Sequence, residues 1–285
     1  MSDIQVERLD ASHYRADPKL ISGYQDTFNL HGLLDSLAFN ANLILCGPAG
    51  IGKSLAVASW CGVKGYPLVT FDCSEDVRRQ HLLGHYTQRS NLETPFILGP
   101  VTTAFELANE VGHCVLVLEE VNALSQAIQK VLNGVCDFRK KVELPEVKRI
   151  FRLKENAHLF VVGTMNESTY GGVYELNRDL KSRFRILALG YPPPVEEKKA
   201  IRKALSKKAT DNLGAKDLDH IVTLAQETRQ RAMEYSLSTR DIVQIVEDAV
   251  QLGLESALRL SVGKFDGNDR DTYIQRVKAH FPAFT

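Results

Sequence analysis

Gly47-Pro48-Ala49-Gly50-Ile51-Gly52-Lys53-Ser54 is the stretch that decides the reading of this chain. It fits the phosphate-loop pattern G-x-x-x-x-G-K-[ST] at every fixed position. Ahead of it, Asn42-Leu43-Ile44-Leu45-Cys46 reads as a short buried strand; behind it, Leu55-Ala56-Val57-Ala58-Ser59-Trp60 reads as the first turns of a helix. That strand–loop–helix setting is the one the chemistry needs. Glycines let backbone N–H groups converge on phosphate oxygens, and the helix N-terminus adds partial positive charge. Lys53 is placed to reach β- and γ-phosphates, and Ser54 to ligate Mg²⁺. A glycine-rich turn holding Lys and Ser by chance is the plain alternative, and the flanking pattern argues against it.

A phosphate loop needs a carboxylate partner at the end of another core strand. Cys114-Val115-Leu116-Val117-Leu118-Glu119-Glu120 supplies two, closing an apolar strand. Ligands gather at the carboxyl ends of strands in open parallel sheets. Glu119 is expected to position Mg²⁺ through water and Glu120 to polarise an attacking water; solvated acids closing a strand are the alternative without the loop. Val161-Val162-Gly163-Thr164-Met165-Asn166 is a further buried strand ending in an amide. Asn166 could bond the attacking water or the γ-phosphate, or simply form a turn. Leu180-Lys181-Ser182-Arg183-Phe184 puts Arg183 at a helix end, where an Arg also satisfies carbonyls.

The 285 residues give room for one large domain or two modest ones, and a hydrophobic content of 44% supports a real core. Basic and acidic residues cancel at 35 each, so no global positive field draws the chain to nucleic acid or anionic membrane. The polar start Met1-Ser2-Asp3-Ile4-Gln5-Val6-Glu7-Arg8 lacks an apolar signal core, and no apolar run approaches the ~20 residues of a membrane span. Cys46, Cys61, Cys73, Cys114 and Cys136 lack metal-type spacing; an odd, scattered set suits buried thiols and a cytoplasmic setting.

Apolar β-type runs at residues 42–46, 67–73, 113–119, 158–164 and 184–189 alternate with helical patterns near 54–62, 101–111 and 123–138. This predicts an α/β fold, a parallel sheet flanked by helices. An N-terminal arm and a helix around 30–37 precede it. Residues 140–154, alternating charged and apolar about Pro145-Glu146, read as a β-hairpin. Tyr191-Pro192-Pro193-Pro194 marks the clearest boundary, because three prolines suit neither ladder nor helix interior. Residues 1–191 are therefore expected to form the α/β nucleotide-binding domain and 192–285 a small all-α lid domain. Its helical patterns fall at 195–206, 217–229, 238–252 and around 270–280, with Ser238 and Asp241 in capping-box positions.

Gly47–Ser54, Leu116–Glu120, Gly163–Asn166, Arg183-Phe184 and Leu237-Ser238-Thr239-Arg240 occur in the order of an AAA+ ATPase, and the chain resembles that family over most of its length. Phe96-Ile97-Leu98-Gly99-Pro100-Val101, Glu119-Glu120-Val121-Asn122-Ala123, the hairpin, Met165-Asn166 with Gly171-Gly172, and Glu175-Leu176-Asn177 resemble the MoxR, CbbQ/NorQ and McrB-like branch. The resemblance implies ATP and Mg²⁺ as ligands, with Gly47, Pro48, Ala49, Gly50, Ile51, Gly52, Lys53 and Ser54 as the nucleotide loop. It makes Glu120 the catalytic carboxylate and Asn166 a sensor-1 residue. Arg183 becomes an arginine finger acting in a neighbouring subunit, and Arg240 a sensor-2 residue of the lid. Glu119 departs from the usual Asp, and its longer side chain should shift the Mg²⁺ water shell.

The family further implies a homo-oligomeric ring, a hexamer, that remodels a partner. That partner is a von Willebrand factor A domain protein or a metalloenzyme client. A McrB-like nucleic-acid motor serving a separate nuclease is the main alternative, and an ATP-dependent assembly scaffold with weak hydrolysis is the third. His81-Leu82-Leu83-Gly84-His85 offers two imidazoles four apart, a metal pair only if the stretch is helical, and Gly84 weakens that; the resemblance makes it the approach to an insertion facing the ring pore. Lys140, Lys141, Lys148 and Arg149 form a small basic cluster in the hairpin, read as a solvated face because Glu143 and Glu146 interleave.

Overall fold

The computed structural model describes residues 9–87, 95–166, 174–205, 213–231 and 233–285. The polar start at residues 1–8, Gly171-Gly172 and Ser206 lie outside the described residues. The chain divides into two compact units. The first comprises Met1–Ser22, His31–Gly47 and Lys53–Leu189; the second comprises Gly23–Leu30, Pro48–Gly52 and Gly190–Thr285.

Along the first part of the chain run α1 (Pro18–Gly23), α2 (Leu30–Leu37), β1 (Asn42–Cys46), α3 (Lys53–Lys64), β2 (Leu68–Asp72), α4 (Arg79–Leu83), β3 (Gly84–Tyr86) and β4 (Phe96–Leu98). They are followed by α5 (Pro100–Val111), β5 (His113–Glu119), α6 (Gln126–Cys136), β6 (Lys141–Leu144), β7 (Arg149–Arg152), β8 (His158–Met165), α7 (Arg178–Lys181) and β9 (Phe184–Ala188). Five strands form one parallel sheet in the order β2-β5-β8-β1-β9, flanked by helices, as the apolar runs predict. The central strands are buried on both faces: Cys114 to Leu118 of β5 and Leu159 to Thr164 of β8 are all buried. Ile44, Leu116, Leu118 and Val161 pack with Val101, Phe105 and Leu132 of the covering helices.

Three local departures have clear causes. The helical pattern at 123–138 is realised only over Gln126–Cys136, because Glu120 adopts a left-handed φ of 53° and Val121–Ala123 forms a 3₁₀ turn before α6 begins. The His81/His85 pair is split. Gly84, at φ 112°, ends α4 and starts β3, and a Cβ there would meet the Ile97 carbonyl oxygen at 2.3 Å. His81 thus sits on a helix and His85 on a strand, where the four-residue helical spacing means nothing.

The basic cluster is dispersed as well. Lys141 pairs with Glu143 (2.8 Å), and Arg149 pairs with Glu106 (2.8 Å) and lies 4.5 Å over the Phe151 ring. Lys140 turns inward to Asn42.

The second unit carries α8 (Pro194–Ala204), α9 (Ala215–Gln230), α10 (Thr239–Leu252), α11 (Leu254–Val262) and α12 (Gly267–His280). Ile201, Ile221, Leu237, Ile242, Ile245, Tyr273 and Val277 form its core. Ser238 and Asp241 complete a capping box at the start of α10. A buried polar centre sits among these helices: Glu197, fully buried, accepts from Arg229 (2.8 and 2.9 Å) and from Thr239 Oγ1 (2.6 Å). Arg229 also donates to the Leu237 carbonyl at 2.8 Å and stacks 3.9 Å from the Tyr191 ring. Helix α11 is an element that the sequence pattern did not separate from its neighbours.

Candidate functional site

Register places the site. Cys46 pairs with Met165 and Leu118 with Gly163, so β1, β5 and β8, neighbours in the sheet, end at one level. Gly47, Glu119, Glu120 and Asn166 therefore gather at the carboxyl edge, although they are far apart in sequence.

Lys53 opens α3 and is buried; its Nζ donates to the Gly47 carbonyl at 2.8 Å and to Asn166 Oδ1 at 3.0 Å. Ser54 Oγ donates to Glu119 Oε2 in a short contact. Thr164 Oγ1 donates to the same Glu119 oxygen at 3.0 Å and accepts the Glu120 backbone N–H at 3.1 Å. Asn166 Nδ2 donates to Glu120 Oε1 at 3.1 Å. One network thus joins a buried ammonium, a hydroxyl, two carboxylates and an amide. The longer side chain of Glu119 spans to the Ser54 hydroxyl directly. A hydroxyl and a carboxylate oxygen side by side are the hard donor set that suits Mg²⁺.

Thr164 is a member of this network that sequence reasoning missed. It is buried (2% exposed) in an otherwise apolar strand. A lone hydroxyl two residues before Asn166 was the available signal, since residues i and i+2 share a face. Cys73 lies close enough for the charges of Glu119 and Glu120 to act on it. Burial first, then the charge of Asp72 and after it those of Glu119 and Glu120, push its thiol up to about 12, so it stays protonated. All five cysteines are free, and four are buried.

Within the second unit, the loop residue Gly50 has φ 73°, and a Cβ on it would lie 2.5 Å from Ser238 Oγ. Its carbonyl accepts the Arg240 backbone N–H at 3.3 Å, while the Arg240 side chain is exposed. Only glycine fits both the backbone angle and the approach of Ser238.

Arg183 is not brought into the network. It precedes β9, where Asn42 pairs with Phe184, at the amino end of β1 and about 15 Å along the strand from the phosphate loop.

A phosphate-loop sequence following β1, and a network of its lysine and serine with paired acids at the strand ends, define the class of phosphate-loop nucleotide-binding domains. Residues 42–184 match the family model of the AAA domain, dynein-related subfamily, and the chain belongs to that family. A Staphylococcus epidermidis relative, named only as an uncharacterized protein, is 27% identical over 232 residues, covering 78% of this chain and 83% of its own. Bacillus subtilis YojN, likewise named as uncharacterized, is 31% identical over 199 residues, covering 66% of this chain and 63% of its own.

Among solved structures, NtrX from Brucella abortus superposes with a TM-score of 0.53 at 17% identity, covering 82% of this chain and 52% of that one. A Cytophaga hutchinsonii protein with a provisional ATPase assignment superposes with a TM-score of 0.50 at 17% identity, covering 86% and 81%. These two likenesses concern the fold. No helix among the described residues is long and apolar enough to cross a membrane.

Proposed function

We propose that this chain hydrolyses ATP as a ring-forming AAA+ ATPase of the MoxR and CbbQ/NorQ type, and that turnover remodels or activates a partner protein. The observation that carries the reading is the single network joining Lys53, Ser54, Glu119, Glu120 and Asn166. In the proposal, Gly47–Gly52 cradle phosphates through backbone N–H groups and Lys53 exchanges its protein acceptors for phosphate oxygens. Ser54 and Glu119 hold Mg²⁺, which neutralises phosphate charge when bound. Glu120 accepts the proton of the attacking water, and Asn166 orients the carboxylate that does so.

Arg183, remote from its own pocket, serves the pocket of the next subunit, and Arg240 acts from the lid as a sensor. Six subunits close the ring. The branch points to a von Willebrand factor A domain protein or a metalloenzyme as client. A nucleic-acid motor is disfavoured by the zero formal net charge and by the internal pairing of Lys141 and Arg149.

Phosphate release from ATP, with and without Mg²⁺, tests the enzymatic part: a chain that binds ATP but releases no phosphate in any assembly state overturns it. Native mass spectrometry of Glu120→Gln in ATP tests the ring, and a monomer at all concentrations overturns that. Affinity capture with the same ATP-locked variant then identifies the client.

A further inference from the structure

Asn42 opens β1 at the edge of the sheet opposite the nucleotide network, and it is only 5% exposed. Its Nδ2 donates to the Cys136 carbonyl at 2.6 Å and to the Arg183 carbonyl at 3.0 Å. Its Oδ1 accepts from Lys140 Nζ at 2.8 Å. Both amide hydrogens and one oxygen lone pair are in use, so this side chain ties the end of α6, the entry to β6 and the turn before β9 together.

Lys140 is an odd residue to find there. It holds a left-handed φ of 41°, which costs a non-glycine residue energy. Burial pulls its ammonium below the usual lysine range, with the charge of Asp137 opposing. A strained, desolvated lysine is a poor way to fill core volume, which an apolar side chain would do without penalty. What it contacts is the amide that holds Arg183.

Arg183 itself is half-buried. Its guanidinium donates to the Asp179 carbonyl, and its Nε is buried without a hydrogen-bond partner among the described residues. The neighbouring carboxylate, Asp137, is already taken: Arg139 Nε donates to it at 2.8 Å. Burial opposes ionisation of Asp137, but the Arg139 hydrogen bonds, with the charges of Arg139 and Arg183, hold it below the usual carboxylate range. Asp137 accepts from Arg139 on both oxygens, and its charge acts on Arg183 with no hydrogen bond between the two among the described residues.

We infer that Asn42 and Lys140 are positioning residues for Arg183, fixing its backbone so that its guanidinium is available to a second copy of this chain. The inference rests on the proposed action of Arg183 in trans and deepens it. It makes Asn42 and Lys140 matter to the subunit next door rather than to their own pocket, an asymmetry that a merely structural role lacks.

The test is phosphate release from mixed assemblies, with co-assembly established by native mass spectrometry. Lys53→Ala subunits, with a dead pocket and an intact Arg183, are mixed with Arg183→Ala subunits as the reference and should restore activity. Lys140→Met replacing Lys53→Ala as the donor should restore about 10–100-fold less, the range expected for misplacement of a catalytic group. The same Lys140→Met subunits, given Arg183 by Lys53→Ala subunits, should turn over near the reference rate with unchanged ATP affinity. Lys140→Arg, which keeps a charged donor, should donate as the wild type does. Asn42→Ser is read in the same way should Lys140→Met not fold.

No recovery in the reference mixture overturns the trans reading of Arg183, and this inference with it. Recovery in the reference with equal donation by Lys140→Met overturns the inference alone, as does equal loss in both roles.

Discussion

The amide of Asn166 is hydrogen-bonded to the carboxylate of Glu120 across 3.1 Å, and its other end accepts from Lys53 at 3.0 Å. One side chain at the end of β8 thus links the residue proposed to activate water with the residue proposed to hold phosphate. Glu120 holds a left-handed backbone conformation with its N–H bonded to Thr164, which fixes where its side chain leaves the main chain.

Glu120→Gln keeps the shape and the Asn166 contact but cannot take a proton. Turnover should fall about 10²–10⁴-fold, the usual worth of a general base, with ATP affinity retained. Stopped-flow phosphate release beside calorimetric binding checks it. If Glu119→Gln stops turnover while Glu120→Gln does not, the roles of the two acids are exchanged.

Lys53→Met removes the buried ammonium that now serves Gly47 and Asn166. Loss of a charged hydrogen bond to phosphate should weaken ATP binding by about 10–150-fold, or about 1.5–3 kcal/mol. Isothermal titration calorimetry reads it, with circular dichroism to show that the fold persists. Unchanged affinity would remove Lys53 from the nucleotide site.

Arg229→Met leaves Glu197 charged and fully buried among α8, α9 and the start of α10. Breaking one side of such a pair costs about 3–5 kcal/mol, far more than a surface bridge. Arg229→Lys should recover little, since a lysine cannot make the two-pronged contact. The double variant Glu197→Leu/Arg229→Met should regain much of the loss. Urea unfolding measures all three; a single variant within 1 kcal/mol of wild type would show the pair to be incidental.

His113 stacks on His158 at the amino edge of the sheet, with ring centroids 5.2 Å apart. Desolvation, and then the His158 charge, lower the His113 pKa. The unfolded chain therefore takes up the proton first. The contribution to stability is whole above the ordinary imidazole value of about 6.5 and is lost as pH falls through it toward the lower folded value. His113→Phe should flatten the melting-temperature profile between about pH 7.5 and 5. Parallel profiles for the two proteins would refute the assignment.

Local pattern was enough for the five core strands. Leu43–Cys46 and Cys114–Leu118 are uninterrupted apolar runs, and short runs of that kind suit burial on both faces of a parallel sheet. The phosphate loop was legible for a related reason. Its glycines, lysine and serine lie within eight consecutive residues, so every constraint on it is local. Interruptions were harder. Gly84 and Gly253 break elements through single backbone angles, which periodicity does not register. The helix Leu254–Val262 and the pair β3–β4 were missed for that reason.

The sequence by itself determined the class of sheet, the strand that leads into the phosphate loop and the apolar strand that ends in two acids, because each is written in neighbouring residues. Only the tertiary structure decided which side chains meet. Parallel pairing of β1 and β5 with β8 brings Thr164 and Asn166 against Glu119, Glu120 and Lys53. The left-handed turn at Lys140 sends its ammonium inward to Asn42 instead of onto a basic surface. Those contacts join residues many tens of positions apart, and their energy depends on strand register and burial, which exist only once the sheet has formed.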